Sequence, residues 1–121
     1  VPHGIDVTII EPGGYPTKVW VNRNAYSAEL KVRSLKSHSD GYPDQVEQMG
    51  KEDGSGRTND PMDVARAIAG LIAQAPGTRP LRLPVSGGAI PQTAINSVTA
   101  QVQTQWLGNS PYGPLIRAVH D

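Results

Sequence analysis

Two segments of the chain carry hydrophobic patterns typical of strands. Ile5 to Glu11 is a nearly continuous run of apolar, mostly β-branched residues, which predicts a strand covered on both faces in a parallel sheet. Leu81 to Val85 alternates apolar residues with Arg82 and Pro84. This pattern predicts a second, short strand, and its proline indicates an edge position or a strand end.

Two further segments repeat apolar residues at helical spacing. Asp60 to Ala75 opens with a capping aspartate, a proline and an acidic first turn, and Gly77 stands where a C-terminal glycine is expected. Pro91 to Trp106 predicts a second amphipathic helix that stops at Gly108. We expect Trp106 to pack inside the protein. The two apolar stripes are Val64, Ile68, Leu71, Ile72 and Ala75 in the first helix, and Ile95, Val98, Val102 and Trp106 in the second.

The remaining residues predict loops. Ser37 to Asn59 is rich in glycine, proline and polar residues, with at most a short turn around Gln45 to Met49. A loop of this length is more often functional or mobile than structural. Ser110 to Asp121 predicts an extended arm.

The composition is that of one neutral globular unit. The 121 residues include 11 basic and 11 acidic side chains, no cysteine and 37% hydrophobic residues. Nothing in this balance favours nucleic acid or an anionic membrane as a partner, and no apolar run approaches the roughly 18 residues of a membrane span. We therefore expect a soluble, cytoplasmic protein without disulfides or thiolate metal sites.

The first predicted strand runs into a turn that suits a ligand. Pro12 cannot donate a ladder hydrogen bond and ends the strand, while Gly13 and Gly14 leave no Cβ between the backbone and an approaching molecule. Open α/β sheets bind ligands at the carboxyl ends of their strands. Thr17 can cap a following short helix, and free N–H groups in the turn would favour an anion or an amide oxygen. A plain strand-to-helix turn would use the same residues.

Two stretches in this order resemble the C-terminal half of a short-chain dehydrogenase/reductase. They are GIDVTIIEPGGYPT and NDPMDVARAIAGLIAQAPGTRPLRLPV, which together cover most of Gly4 to Val85. In that family a Pro-Gly-x-x-x-Thr turn follows the sixth parallel strand and meets the nicotinamide end of NAD(P), and Pro12, Gly13 and Thr17 match it. The resemblance implies an α/β fold, namely the C-terminal part of a Rossmann-like doubly wound parallel sheet without its nucleotide-binding half.

The resemblance also implies a role for each part of a single partial domain. Residues 5–17 are the strand and cofactor-facing turn, 18–59 the substrate or lid loop, 60–85 the helix and last strand, and 86–121 a C-terminal helix and tail. The implied cofactor contacts are Pro12, Gly13, Gly14 and Thr17. The implied substrate or lid contacts are Tyr15, Pro16, Val19 and Trp20.

The family's catalytic residues have no match in this chain. The family uses a Ser, a Tyr with Lys four residues later, and a glycine-rich nucleotide loop, and none of the four tyrosines has Lys at that spacing. We expect the Tyr-x-x-x-Lys helix to end just before Val1. The chain is then a fragment of an NAD- or NADP-dependent oxidoreductase for an alcohol or carbonyl substrate. By itself it should be inactive, bind no cofactor, and associate with its missing half or with copies of itself. Family members commonly oligomerise through the segment that corresponds to Asp60 to Val85.

Other candidate sites are weaker. The run Gly50 to Gly56 has the glycine spacing of a nucleotide-binding loop. Because Glu52 and Asp53 would repel pyrophosphate, a flexible, solvated loop is the preferred interpretation. The three histidines lack the spacing of metal ligands, and we expect no metal. Two alternative functions stay open. One is a non-enzymatic interaction or dimerisation module that uses the exposed strand and the helix Pro91 to Trp106. The other is a divergent oxidoreductase fragment that has lost its dinucleotide site.

Overall fold

The computed structural model describes residues 3–88 and 90–120, and it is a mixed α/β structure. Within these residues there are six helices and a two-stranded parallel sheet. The chain divides into two compact units: Val1–Gly13 with Met62–Asp121, and Gly14–Pro61. In chain order the elements are β1 (Ile9–Pro12), α1 (Val19–Arg33), α2 (Lys36–Gly41), α3 (Pro43–Gln48), α4 (Met62–Ala73), β2 (Arg82–Val85), α5 (Pro91–Leu107) and α6 (Gly113–His120).

The first unit is built around the parallel pairing of β1 with β2 through the crossover helix α4. The N–H of Ile9 donates to the carbonyl of Leu81 at 2.7 Å, and that of Gly13 donates to the carbonyl of Val85 at 2.8 Å. The ladder therefore continues past Pro12 into the turn. The predicted parallel arrangement of the two strands is confirmed.

Each outer edge of this small sheet contains one proline. Backbone groups alternate in direction along a strand, so those of residues 9, 11 and 13 face β2, whereas those of Ile10 and Pro12 point to the outer edge, where Pro12 has no N–H. On β2 the outward position between Leu83 and Val85 is Pro84, which has no N–H. Pro84 thus lies at a sheet edge, as predicted, and Ile10 is the residue of β1 whose backbone N–H faces the opposite edge.

Helices cover both faces of β1, since alternate residues of a strand lie on opposite faces. Ile10 shares a groove of about 530 Å³ with Ile68 and Ile72 of α4. Glu11, on the other face, accepts a hydrogen bond of 2.6 Å from the side-chain amide of Asn96 in α5. The first unit therefore has helix, sheet and helix layers.

The predicted strand Ile5 to Glu11 is shorter than expected, and although helices lie on both of its faces it is only partly buried. The strand begins at Ile9 rather than Ile5, Ile9 itself is 45% exposed, and Val7 before it is 66% exposed. Among the described residues only Tyr15 and Leu71 are buried apolar side chains. A sheet of two strands offers too few neighbours to enclose a β-branched run, so most of it stays in contact with solvent.

The end of α4 is tied to the segment before β1. Gly77, the predicted C-terminal glycine, has φ +82° but lies four residues after Ala73, in a turn that the N–H of Thr78 closes by donating to the carbonyl of Ala75 at 3.2 Å. Arg79 donates from Nε to the carbonyl of Leu71 at 2.8 Å and from Nη2 to that of Gln74 at 2.9 Å. Its Nη1 also contacts Asp6 Oδ2 at 2.9 Å, and Asp6 accepts the N–H of Gly77 at 2.8 Å. One guanidinium therefore binds two carbonyls at and just after the end of α4 and fixes the start of the strand segment.

The C-terminal part of the first unit is a pair of helices, α5 and α6. The predicted extended arm from Ser110 onward is wrong, because Gly113–His120 is helical; Asp121 lies outside the described residues. Gly108 does end α5, as predicted, but with φ −62°, so no positive φ requires the glycine. A Cβ there would collide with the carbonyl of Thr104, and one on Gly113 would collide with that of Gly108. These two glycines permit the close helix-to-helix turn.

The second unit consists of α1, α2 and α3 and the segment that follows them, so the predicted loop over residues 18–59 is wrong. Polar contacts hold α1 in place: Lys31 donates to the carbonyl of Met49 at 2.7 Å, and Asn24 donates to that of Glu52 at 2.9 Å. Ser27 is buried on the same side of the helix. The apolar residues of α1 do not mark its inner face, since Val32 is 88% exposed.

Candidate functional site

The carboxyl edge of the parallel sheet places two predicted site residues, Pro12 and Gly13, beside the end of β2. Pro12 is the last residue of β1 and pairs with Val85. A Cβ on Gly13 would lie 2.7 Å from the Oγ of Ser86, so the absence of a side chain lets the turns after the two strands touch. This contact accounts for Gly13 within the first unit. Its role at a cofactor stays a prediction.

The other six predicted site residues, Gly14 to Thr17, Val19 and Trp20, belong to the second unit. The indole Nε1 of Trp20 donates to the carbonyl of Tyr15 at 2.7 Å, and the N–H of Thr17 donates to the same carbonyl at 2.9 Å. The Tyr15 side chain is buried, while Pro16 and Val19 are exposed. The structure thus brings Tyr15, Thr17 and Trp20 together.

The prediction that free N–H groups line the turn is wrong for Gly13 and Thr17. Both donate to carbonyls of the chain, and the prolines at positions 12 and 16 have no N–H. The hydroxyl of Thr17 accepts the N–H of Val19 at 3.4 Å, which is a local turn at the start of α1. Its proton remains available for donation, so Thr17 can offer one hydrogen bond to a ligand.

The space that Gly14 leaves is filled by Arg57. A Cβ on Gly14 would come within 3.0 Å of Arg57 Cδ. The guanidinium carbon of Arg57 lies 4.0 Å from the centroid of the Trp20 ring, and that of Arg23 lies 4.9 Å from it. Two cations therefore contact one indole, an arrangement stabilised by the negative face of the ring.

Glu52 balances these two cations. Its carboxylate contacts Arg57 Nη1 at close range and Arg23 Nη1 at 3.2 Å. The hydrogen bond from Arg57 is the main cause that lowers the pKa of Glu52 below its ordinary value of 4.5, and the bond from Arg23 adds to it. The neighbouring carboxyl, Asp53, also has a lowered pKa because Ser55 hydrogen-bonds to it. Both acids are therefore ionised at neutral pH.

The glycine run Gly50 to Gly56 is folded rather than flexible. Gly54 is buried with φ +78°, and a Cβ on it would lie 2.7 Å from the indole Nε1 of Trp20. The run therefore closes over Trp20, with Glu52 held by the two arginines. No strand enters this run and no helix begins at its end, so it has neither flank of a phosphate loop.

We name the group formed by Tyr15, Trp20, Arg23, Glu52 and Arg57 the Trp20 cluster. Sequence reasoning found Tyr15 and Trp20 but missed the two arginines, which lie three and 37 residues from Trp20 with no motif to connect them. The one available signal was Gly54 in a polar run, since a glycine allows another group to approach the backbone closely. In this arrangement the cluster holds the loop, because each of its charges is paired within the chain.

Other kinds of site have no support within residues 3–88 and 90–120. No group of three or more His, Cys, Asp or Glu side chains in these ranges could hold a metal ion. None of the helices described there is long and apolar enough to cross a membrane.

Comparisons of the chain with protein-family models, with curated proteins and with solved structures returned no match.

Proposed function

We propose that this chain is the C-terminal half of an NAD(P)-dependent oxidoreductase of the short-chain dehydrogenase/reductase type, acting on an alcohol or carbonyl substrate. The observation that carries the proposal is the parallel strand, crossover helix and strand of the first unit, in which the Pro12-Gly13 turn lies at the carboxyl edge. Ligands of open α/β sheets bind at that edge. The order of these elements is the order that the sequence resemblance implies.

The finer fold assignment, part of a Rossmann-like doubly wound sheet, has two supports. β1 presents the backbone N–H of Ile10 at its outer edge, where a further strand can pair, although Pro12 at the same edge has no N–H. The chain also exposes 8871 Å², whereas two compact bodies of the sizes of its units would expose roughly 7,600 Å² in total. The excess of roughly 1,300 Å² exceeds the ~800 Å² that each partner buries in a standard interface.

The chain by itself does not fit a whole dinucleotide. The backbone donors of Gly13 and Thr17 are already used, and the glycine run carries the ionised Glu52 and Asp53. The nicotinamide would supply the hydride chemistry in the intact parent, and the protein would position it. In that parent Pro12, Gly13 and Gly14 shape the turn beside the ring, and the Thr17 hydroxyl donates to the cofactor. Tyr15, Pro16, Val19 and Trp20 form substrate or lid contacts.

The first experiment reads the residues encoded upstream of Val1 and measures cofactor binding. We expect a Tyr-x-x-x-Lys ending shortly before Val1, and no tight NADH binding when the isolated chain is titrated and nicotinamide fluorescence is followed. Tight binding by this chain alone, or an upstream sequence without that motif, would contradict the proposal.

A second experiment uses the intact parent. Thr17→Ala should raise the KM for the cofactor by about tenfold, because a hydrogen bond to a bound ligand is lost, and Thr17→Ser should restore it. Thr58→Ala, at an exposed threonine of the same unit, is the matched control. Equal KM values in all four proteins would exclude Thr17 from the cofactor site.

A second candidate, a non-enzymatic interaction module, is favoured by the unburied apolar residues of β1 and α5. It predicts self-association without any response to NADH or NADPH. Oxidation of NADPH by the intact parent with a panel of aldehydes and ketones would decide in favour of the enzyme.

A further inference from the structure

One face of α5 is apolar and exposed along most of the helix. Ile95, Val98, Val102 and Trp106 are 60%, 58%, 52% and 81% exposed. Their spacings of three and four residues align them in one row of roughly 16 Å, which we name the α5 stripe. Trp106, which the sequence predicts to be packed inside, is the most exposed of the four.

The face of α5 about a third of a turn from the stripe packs on the rest of the first unit, chiefly through polar and small residues. Asn96 donates to Glu11, and Gln103 Oε1 lies 2.7 Å from His120 Nε2. Ala100 between them is half-buried. The amphipathicity of this helix is thus reversed relative to an ordinary surface helix, whose apolar face packs on the core. A contiguous apolar row that faces solvent marks an interaction surface.

The chemistry of α5 suits a second copy of the same helix. Its 17 residues include no Asp, Glu, Lys or Arg. In an interface between identical surfaces every residue meets a residue of the same set, so a helix without charges avoids like-charge contacts. The uncharged polar residues beside the stripe can form a rim.

The order of residue sizes along the stripe also fits a two-fold axis. In an antiparallel pair centred near Ala100, Trp106 of one copy lies opposite Ile95 of the other, and Val98 lies opposite Val102. The bulky ring then lies at the ends, and the smaller β-branched residues lie where the two helices cross most closely. We propose that the α5 stripe is an isologous interface through which two copies of this chain pair with antiparallel α5 helices.

A second copy bound at the α5 stripe would occupy a different place from a strand added to the sheet. Such a strand would lie in the plane of the sheet beside β1, whereas the stripe lies about a third of a turn around the helix from the residues that face the sheet. The inference does not depend on the oxidoreductase proposal.

Sedimentation equilibrium of the full chain between about 1 and 500 μM tests the pairing, because this range spans the dissociation constants expected of a modest interface. We expect a reversible monomer–dimer equilibrium. Val102→Lys should raise the dimer dissociation constant by about tenfold or more, since it places a charge at the centre of an apolar contact. Val32→Lys, at an exposed valine of α1, is the matched control and should leave the constant unchanged.

Two double variants test the antiparallel geometry. Val98→Lys with Val102→Glu places opposite charges across the two-fold axis and should dimerise more tightly than Val98→Lys with Val102→Lys, which places like charges there. All four side chains of the stripe are exposed, so far-UV circular dichroism should report unchanged helix content. Three results would each overturn the proposal. They are a monomer at every concentration, a dimer dissociation constant that Val102→Lys does not change, and equal dissociation constants for the two double variants.

Discussion

Replacing Arg79 by alanine should strongly destabilise the first unit. The side chain is only about a quarter exposed, and it donates short hydrogen bonds to the carbonyls of Leu71 and Gln74 and pairs with Asp6. We assign about 1 kcal/mol to each of the two carbonyl bonds and about 1 kcal/mol to the partly buried ion pair. Arg79→Ala should therefore lower the free energy of unfolding by about 3 kcal/mol.

Urea unfolding followed by circular dichroism at 222 nm measures this loss. With an m value of about 1 to 1.5 kcal/mol/M, the midpoint should fall by about 2 to 3 M, or the unit should be unfolded without urea. Arg79→Lys should recover only part of the loss, because a lysine offers a point charge in place of a planar fork. Asp6→Asn, which leaves the carbonyl bonds intact, should lose about 1 kcal/mol.

Arg66→Ala is the matched control for this prediction. Arg66 lies on the same helix and pairs with Asp63 at 2.9 Å, but its side chain is 63% exposed. We expect a loss below about 0.5 kcal/mol, as for other exposed pairs at helical spacing. Equal losses of unfolding free energy in Arg79→Ala and Arg66→Ala would refute the reasoning that Arg79 stabilises the unit through its bonds at the end of α4 and to Asp6.

Three further predictions concern the two units separately. Gly54→Ala should destabilise the second unit by about 1 to 3 kcal/mol, because it combines a positive φ with a clash against the indole, and the indole N–H resonance of Trp20 should shift toward that of an exposed tryptophan. The lowered pKa of Glu52 contributes stability that is fully present above its ordinary pKa of 4.5 and is lost as the pH falls through the pKa of the folded state. The indole N–H resonance of Trp20 should therefore shift in acid, and Glu52→Gln should not show this shift. Gly13→Ala should lower the thermal midpoint of the first unit through its clash with Ser86, and Ser86→Gly should relieve the loss; a double variant no more stable than Gly13→Ala would contradict this contact.

The ends of the elements were largely predictable because they depend on residues close in sequence. Pro12 is the last residue of β1 and Gly108 directly follows α5, as predicted, whereas α4 ends at Ala73 and Gly77 bends the turn that comes after it. The parallel pairing of β1 with β2 was predictable because a strand, a helix of three turns and a second strand join parallel neighbours. Pro84 identified the edge strand for the same local reason, since it removes a donor.

Only the tertiary structure decided which face of each element is buried. An apolar row at helical spacing predicts an inward face, yet α5 packs through Asn96 and Gln103 and exposes Trp106, because hydrogen bonds to Glu11 and His120 hold the other side. Hydrophobic spacing likewise did not predict α1, since the inner face of this helix is polar. Side chains and carbonyls far apart in sequence supply the partners of that face, and spacing along one helix carries no trace of them.

The Trp20 cluster shows the same division between sequence and structure. The turn from Pro12 to Thr17 and the nearby Trp20 were recognisable from residue types alone. That Arg57 fills the space beside Gly14, and that Gly54 closes over the indole, required the chain to return from more than 30 residues away. Local chemistry determines where a backbone can turn, whereas long-range packing determines what occupies the space that a glycine leaves.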